Sequence, residues 1–275
     1  MKHLFIFLLL FNAEFSRAQN QNLYDEKHSM DFARHLYQSA QYESAINEFE
    51  RVLFLNEHND TAKHYLISSY IRSAQFTMGI TASERWFKEA IYTNKTASLL
   101  HSKLLIGQQG DRLQEFALRV VNDTLKSLMQ MQYAFMQAQW TNVQVFHAQG
   151  ISLCAGLFEP FTNVVNQTNQ VKKRSGFVAG TMSAIVPGSG KVYTGNWKDG
   201  VISLIMISAT TFQAYRGYNR NGFESPKFWI FGGLTMGFYT GNIYGSAKAA
   251  QKFNRKQQDA LIKKSKQIYF SVGDN

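Results

Sequence analysis

The stretch Ser189-Gly190-Lys191 is the first place where residue type and spacing suggest chemistry. A glycine-rich loop that ends on lysine and a hydroxyl residue cradles phosphates with its backbone N–H groups. That pattern needs a glycine five places before Gly190 and Ser or Thr after the lysine, and this chain has Ile185 and Val192 there. Gly188-Ser189-Gly190 also opens like a dinucleotide fingerprint, yet Tyr193 takes the third glycine position and no strand pattern precedes it. His28 with His35, and His58 with His64, are spaced so that a metal site can be imagined. No HExxH pair or cysteine cluster accompanies them. Glu43, Glu48 and Glu50 fall on helical surfaces without an apolar pocket to set one carboxyl apart as an acid. Ser152 and Cys154 have no base nearby in sequence. The expectation is a non-enzymatic chain with no catalytic residue, no cofactor and no metal.

The most informative pattern is structural. Gly233, Gly237, Gly241 and Gly245 recur at every fourth position of a segment without charge from Phe228 to Ala247. Each interior glycine costs a helix about 1 kcal/mol relative to alanine. Repeated at helical spacing, such residues let two backbones approach closely in a bilayer. A second stripe, Gly176, Gly180, Ala184 and Gly188, lies upstream, and the two are expected to face each other. Asn242, inside the third apolar segment, is expected to act as an interhelical clasp; the rival reading is a polar point in a transport path.

Composition bounds the setting. The 275 residues carry a formal charge of +10, only 3 prolines, and 22 Phe with 13 Tyr. The basic excess gathers after the last apolar segment, at Lys248, Lys252, Arg255, Lys256, Lys263, Lys264 and Lys266 against Asp259. That position favours a membrane-flanking role and no nucleic-acid partner. Cys154 is the one cysteine, so an intrachain disulfide is excluded. Lys2 and His3 before the apolar run Leu4 to Phe11, with Ser16-Arg17-Ala18 behind it, read as a secretory signal peptide cut before Gln19.

From Tyr24 to about Gln149 the periodicity is helical. Phe32, Ala33, Leu36 and Tyr37 make one stripe; Ala45, Ile46, Phe49, Val52 and Leu53 make the next. The segment Ala40 to Glu50 resembles the heart of a tetratricopeptide repeat. In that family the small residue matching Ala45 lets two helices approach, and aromatics matching Tyr42 and Phe49 fill the space beside it. Ala33 stands where the family has glycine, and Glu57 where it has proline. A shift of 34 residues carries Phe32, Leu36, Tyr42 and Ala45 onto Leu66, Tyr70, Phe76 and Gly79. A third unit spans about Thr96 to Ser127 with Gln109-Gly110-Asp111 as its turn, and a fourth begins near Leu128. An ordinary helical bundle is the alternative.

These readings give residues 1–18 as signal peptide, 19–150 as tetratricopeptide-like repeats, 151–174 as linker, 175–250 as membrane helices and 251–275 as basic tail. The fold class is all-α: a helical repeat array followed by a small helical membrane domain. Three crossings, from the uncharged stretches Ser175–Gly190, Val201–Tyr215 and Phe228–Ala247, would set the tail inside and the repeats outside the cytoplasmic membrane; two crossings, which would leave the tail outside with its basic excess unexplained, are the alternative, and a short or re-entrant first segment is a variant. Aromatics such as Tyr193, Trp197, Tyr215, Tyr218, Phe228 and Trp229 stand at the expected interfaces.

Ser183 to Tyr193 with Gly195 and Asp199-Gly200, then Gly237 to Tyr244 with Ala247 and Phe253-Asn254-Arg255, resemble a pattern in bacterial membrane proteins of unknown function. Its usual form is Pro-Gly-x-Gly-x-x-Tyr, an Asp-Gly, and later Tyr-x-Gly-Asn-Ile-Tyr, with tetratricopeptide-like repeats in front. Lys191 stands where those proteins usually have Gln. The resemblance implies architecture and no activity. The expected role is a protein-binding scaffold of the bacterial cell envelope, meeting an envelope protein or peptide through the repeats and the bilayer through the helices, with homo-oligomers as a further option. A subunit of a transport or channel assembly is the alternative.

Overall fold

Helix starts in the first half alternate between two local devices. In a computed structural model that describes residues 25–109 and 112–273, Asp25 accepts from His28 N at 2.8 Å, and Asn59 from Ala62 N at 2.9 Å. Asn94 accepts from the amides of Thr96 and Ala97, and Asn122 from Leu125 N. Each caps an amide that a first helical turn leaves without a partner, a contribution of about 1 kcal/mol. The helices that follow are α1 (Glu26–Gln38), α3 (Asp60–Arg72), α6 (Lys95–Gln108) and α8 (Asp123–Met136). The second device is a turn with a left-handed alanine: Ala40, Ala74 and Ala138 have φ of 58°, 57° and 52°. In each, the next glutamine donates its amide five residues back, one beyond a normal helix step, Gln41 to Leu36, Gln75 to Tyr70 and Gln139 to Ala134. An aromatic then starts α2 (Tyr42–Leu55), α4 (Phe76–Phe87) and α9 (Trp140–Phe158). The short α5 (Ala90–Thr93) and α7 (Arg112–Arg119) complete this half.

The result is a helical repeat-like array of helix–turn–helix pairs, and every described regular element of the chain is helical. The starts of α1 and α3, and of α2 and α4, differ by the expected 34 residues. Gln109 turns with φ 59°, while Gly110 and Asp111 of the expected third turn, like the signal peptide, lie outside the described residues.

The chain divides into two compact units, residues 1–133, 144–159 and 269–275 in one, and 134–143 and 160–268 in the other. The repeat unit is built on a dry core that includes Ala33, Ala45, Phe49, Val52, Leu66, Ile67 and Leu104, all fully buried. Phe32, expected on the first stripe, is 52% exposed; the inward face of α1 is instead Ser29, Met30, Ala33 and Leu36.

The second unit holds α10 (Thr162–Thr168), α11 (Gly176–Ile185), α12 (Ser189–Tyr193), α13 (Trp197–Asn221) and most of α14 (Pro226–Ser271). The stretch 151–174 is mostly helical: α9 continues to Phe158, with an extended residue at Cys154, and α10 follows a 3-10 turn at Glu159–Phe161. α14 runs unbroken from the apolar segment into the basic stretch, with no helix break at residue 250. Among the described residues no helix is both long and apolar enough to cross a membrane.

Candidate functional site

The quoted motifs of the second unit converge on the C-terminal end of α11. Pro187 ends that helix, and its last carbonyls need partners from outside it. Three side chains supply them. Ser189 donates to Met182 O at 2.7 Å, Asn242 Nδ2 to Ser183 O at 3.4 Å, and the Tyr239 hydroxyl to Ala184 O at 2.5 Å. Ser183 and Ser246 hydroxyls meet at 2.7 Å, and Ser183 also accepts from Gly190 N. The loop glycines answer a second need, backbone against backbone. Gly188 has φ +86°, and a Cβ there would stand 2.0 Å from Gly200 O. A Cβ on Gly190 would stand 1.8 Å from Ala179 O. A phosphate cradle would need these amides free; instead the Gly190 and Lys191 amides bond to Ser183 Oγ and Gly188 O. Lys191 lays its stem against Gly245 and donates to Ser203 at 2.8 Å, joining α12, α13 and α14. Further along α14, Asn254 exchanges two hydrogen bonds of 2.8 Å with the Arg174 backbone.

The two small-residue stripes do not face each other as expected. Gly176 lies beside Ala247 O, and Gly180 beside Ile243, so the first stripe meets the Ile243–Ala247 edge of α14. A Cβ added at Gly233, Gly237 or Gly241 would meet nothing within 4 Å. The reason is rotational: the edge that grips α11 carries Tyr239, Asn242, Ile243 and Ser246, and the three open glycines lie on another side of the same helix.

Exposed apolar side chains are concentrated in this unit. Of 30 large apolar side chains exposed among the described residues, 22 lie between Phe177 and Tyr244. They cover α13 (Ile202, Ile205 and Phe212, each near 60% exposed) and α14 (Ile230 and Met236, 59% and 70%). Neither helix carries a charge between Asp199 and Arg216 or between Lys227 and Lys248. The turn that joins them is held by Gly217, where a Cβ would come within 2.7 Å of Phe228 N, and by a cluster of Tyr218, Phe223 and Phe228 rings 5.2–5.6 Å apart. Beside that turn opens a cleft of about 550 Å³ lined by Arg216, Asn219, Arg220, Asn221, Ser225 and Lys227, with no carboxylate on its wall.

The repeat unit offers a different surface. A groove of about 290 Å³ is bounded by Glu50, Tyr70, Met78, Thr81, Arg85 and Trp86. The Tyr70 hydroxyl donates to Glu50 at 3.0 Å, and burial first, then the Glu50 charge, push its pKa up to about 12. Of the expected packing residues, Ala45, Phe49 and Gly79 are buried, and Tyr42 and Phe76 are half-buried. Tyr42 meets Tyr37 edge-on at 5.5 Å, Phe49 stacks on Tyr65, and Ala45 is fully buried. Gly79 leaves room for Leu104 and the Tyr70 Cβ, and the Phe76 ring occupies the space beside Gly107.

Ser83 Oγ lies 2.5 Å from His101 Nδ1, the pairing that comes nearest to a nucleophile with its base. Both are buried, Ser83 fully. Burial lowers the His101 pKa to about 4, Glu84 opposing and Arg112 adding to the shift. At the far end of α14, Tyr269 is fully buried within the repeat unit and its hydroxyl meets Ser102 at 2.7 Å. Among the described residues no group of three or more His, Cys, Asp or Glu could hold a metal.

The Asn caps and the Ala-Gln-aromatic turns escaped the sequence reading. Their signal was present in the chain: Asx at 25, 59, 94 and 122, and Ala-Gln followed by Tyr, Phe or Trp at 40–42, 74–76 and 138–140. No protein-family model matches the chain, and neither a curated protein nor a solved structure is similar to it.

Proposed function

We propose that this chain is a membrane-anchored helical-repeat scaffold of the bacterial cell envelope, whose α13–α14 hairpin sits in the bilayer while its tetratricopeptide-like repeats hold a protein or peptide. The observation that carries the reading is the surface of that hairpin. A soluble surface rarely leaves so many contiguous large apolar side chains open. The charge-free runs of 16 residues in α13 and 20 in α14 measure about 24 and 30 Å, close to the hydrocarbon thickness. Glycine, threonine and tyrosine keep their mean hydropathy down.

Topology follows from Tyr269. Its burial with Ser102 supports a topology in which the end of α14 and the repeats share one side of the bilayer, an even number of crossings apart. The three-crossing arrangement gives way to two crossings with a re-entrant α11–α12. At 10 residues α11 reaches only about 15 Å. Its broken end suits such a place because Ser189, Asn242 and Tyr239 satisfy its carbonyls, as non-helical backbone at membrane depth requires. The same bonds support Asn242 as a clasp over a transport path.

On the repeat side, the groove beside Trp86 combines methionine, aromatic and arginine side chains, the types enriched where proteins recognise one another. The test is cysteine accessibility in cells with Cys154 replaced by serine. Single cysteines at Asn59 and Asp259 should label from the same side and one at Asn219 from the other. Labelling of all three from one side would remove the hairpin from the bilayer and end this reading.

A further inference from the structure

We infer that the cleft at the α13–α14 turn is a binding site for the phosphate of an anionic phospholipid headgroup. This rests on the proposed seating of the hairpin in the bilayer and names what the far end of that hairpin meets there.

Three observations carry it. The first is charge. Arg216, Arg220 and Lys227 line the cleft with no carboxylate among its lining residues, and among the described residues none of the three forms an ion pair. Arg216 is held over the Phe212 ring at 5.9 Å, which leaves its planar fork of donors free to grip phosphate oxygens. Asn219, Asn221 and Ser225 add neutral donors of the kind that take the remaining phosphate oxygens or a headgroup hydroxyl.

The second is depth. The charge-free run of α13 ends at Tyr215, directly before Arg216, and that of α14 begins at Phe228, directly after Lys227. A hairpin that buries both runs in hydrocarbon therefore delivers this cleft to the headgroup layer. The third is its rim. Tyr215, Tyr218, Phe223 and Trp229 are 43–65% exposed around the turn, and the Trp229 indole N–H donates to Phe223 O at 2.8 Å. Aromatic rings of this kind settle at the interface of a bilayer. A free polyanion would explain the charge, but it would leave the apolar faces and the aromatic rim without a role.

The experiment uses the full chain in nanodiscs of equal phosphatidylglycerol and phosphatidylcholine, with the lipids that stay bound on release read by native mass spectrometry. Juxtamembrane cations each attract anionic lipid by about 1 kcal/mol, so three together favour phosphatidylglycerol by up to on the order of a hundredfold, and an enrichment of about tenfold or more is expected. The variant R216Q/R220Q/K227Q should bring retention near parity. K252Q/K256Q/K263Q, which removes three exposed charges elsewhere on α14, should keep the enrichment, whereas R216K/R220K, which keeps the charge and loses the planar forks, should keep only part of it. Equal retention of both lipids by the unaltered chain, or equal losses in the cleft and control variants, would overturn the assignment while leaving the anchored hairpin in place. Inorganic phosphate at tens of millimolar that strips the bound phosphatidylglycerol would also overturn it, in favour of a free-phosphate site. A chain that never enters nanodiscs of either lipid would overturn the anchoring itself and this site with it.

Discussion

Glycine does opposite work in the two units. In the repeat unit Gly79 and Gly107 stand where a neighbour presses: Leu104 against one, the Phe76 ring against the other. In the second unit Gly188, Gly190 and Gly200 do the same for backbone, but Gly233, Gly237 and Gly241 press on nothing. Large apolar side chains divide similarly, buried between successive helices in the first unit and left open along α13 and α14 in the second. One composition thus supports two solutions. A unit that closes on its own side chains needs each small residue for an internal contact. The second unit joins α11 to α14 through polar contacts and leaves large apolar side chains open along α13 and α14, as its proposed seating among lipids would allow.

The sharpest way to break the comparison is Gly190→Ala. The added Cβ would fall 1.8 Å from Ala179 O, and a backbone carbonyl in a helix cannot step aside as a side chain can. Overpacking against movable side chains costs about 1–3 kcal/mol, so a loss of about 3 kcal/mol or more is expected here. Gly79→Ala, which meets the flexible end of Leu104 first, should fall within that ordinary range. Limited proteolysis that follows the two units separately checks both: Gly190→Ala should open α11–α13 and spare the repeats.

Next in size is a pH effect confined to the repeat unit. The folded protein holds His101 at about 4, below its ordinary 6.5, because burial penalises the imidazolium. The unfolded chain therefore takes up the proton first as pH falls. This contribution to stability is complete above pH 6.5 and is lost between 6.5 and 4, about 3 kcal/mol in all. The groups around it are Ser83, Glu84, Arg112, Glu115 and Arg119. Urea unfolding at pH 7 and pH 4.5 should show a smaller difference in His101→Gln than in the unaltered chain. An equal difference in both would place the acid sensitivity elsewhere.

Asn242→Ala comes third. It removes the donor to Ser183 O and leaves a buried carbonyl unpaired, a loss of about 1–3 kcal/mol. Hydrogen exchange should rise at the end of α11 while the repeat unit keeps its protection. A rise spread evenly over the chain would deny the clasp.

Much of the repeat unit was legible because its rules are local. A helical stripe such as Ala45, Ile46, Phe49, Val52 and Leu53 shows in the sequence, and a 34-residue shift carries Ala45 onto Gly79 at an equivalent close approach. Phe32 failed because periodicity alone does not tell which flank of a helix its neighbour will cover. In the second unit the motif residues were legible but their partners were not. Tyr239, Asn242 and Ser246 reach carbonyl or hydroxyl groups between Ser183 and Ala184 from about 55–63 positions away, and no local pattern encodes that meeting. The facing of the two glycine stripes failed for the same reason: spacing fixes a face, and only the fold fixes what the face meets.

The smallest expected effect is the most telling for the comparison. Gly237→Leu places a large side chain where a Cβ has no neighbour within 4 Å, so nothing inside this chain opposes it. Replacing glycine by leucine in a helix interior should instead favour the folded helix by somewhat under about 1 kcal/mol. In detergent the variant should match or slightly exceed the unaltered chain in thermal stability, with the Asn242 clasp intact by hydrogen exchange. A drop comparable to that of Gly79→Ala would mean that the open glycines do press on part of this chain, and the two units would then use glycine alike. With the fold unaffected, any change on moving the variant into a bilayer would belong to what surrounds α14: lipid alone if the chain stays monomeric in cross-linking, a second copy if Gly237→Leu dissolves a cross-linked dimer that the unaltered chain forms. The sign of this small effect separates a glycine stripe that serves the fold from one that faces outward.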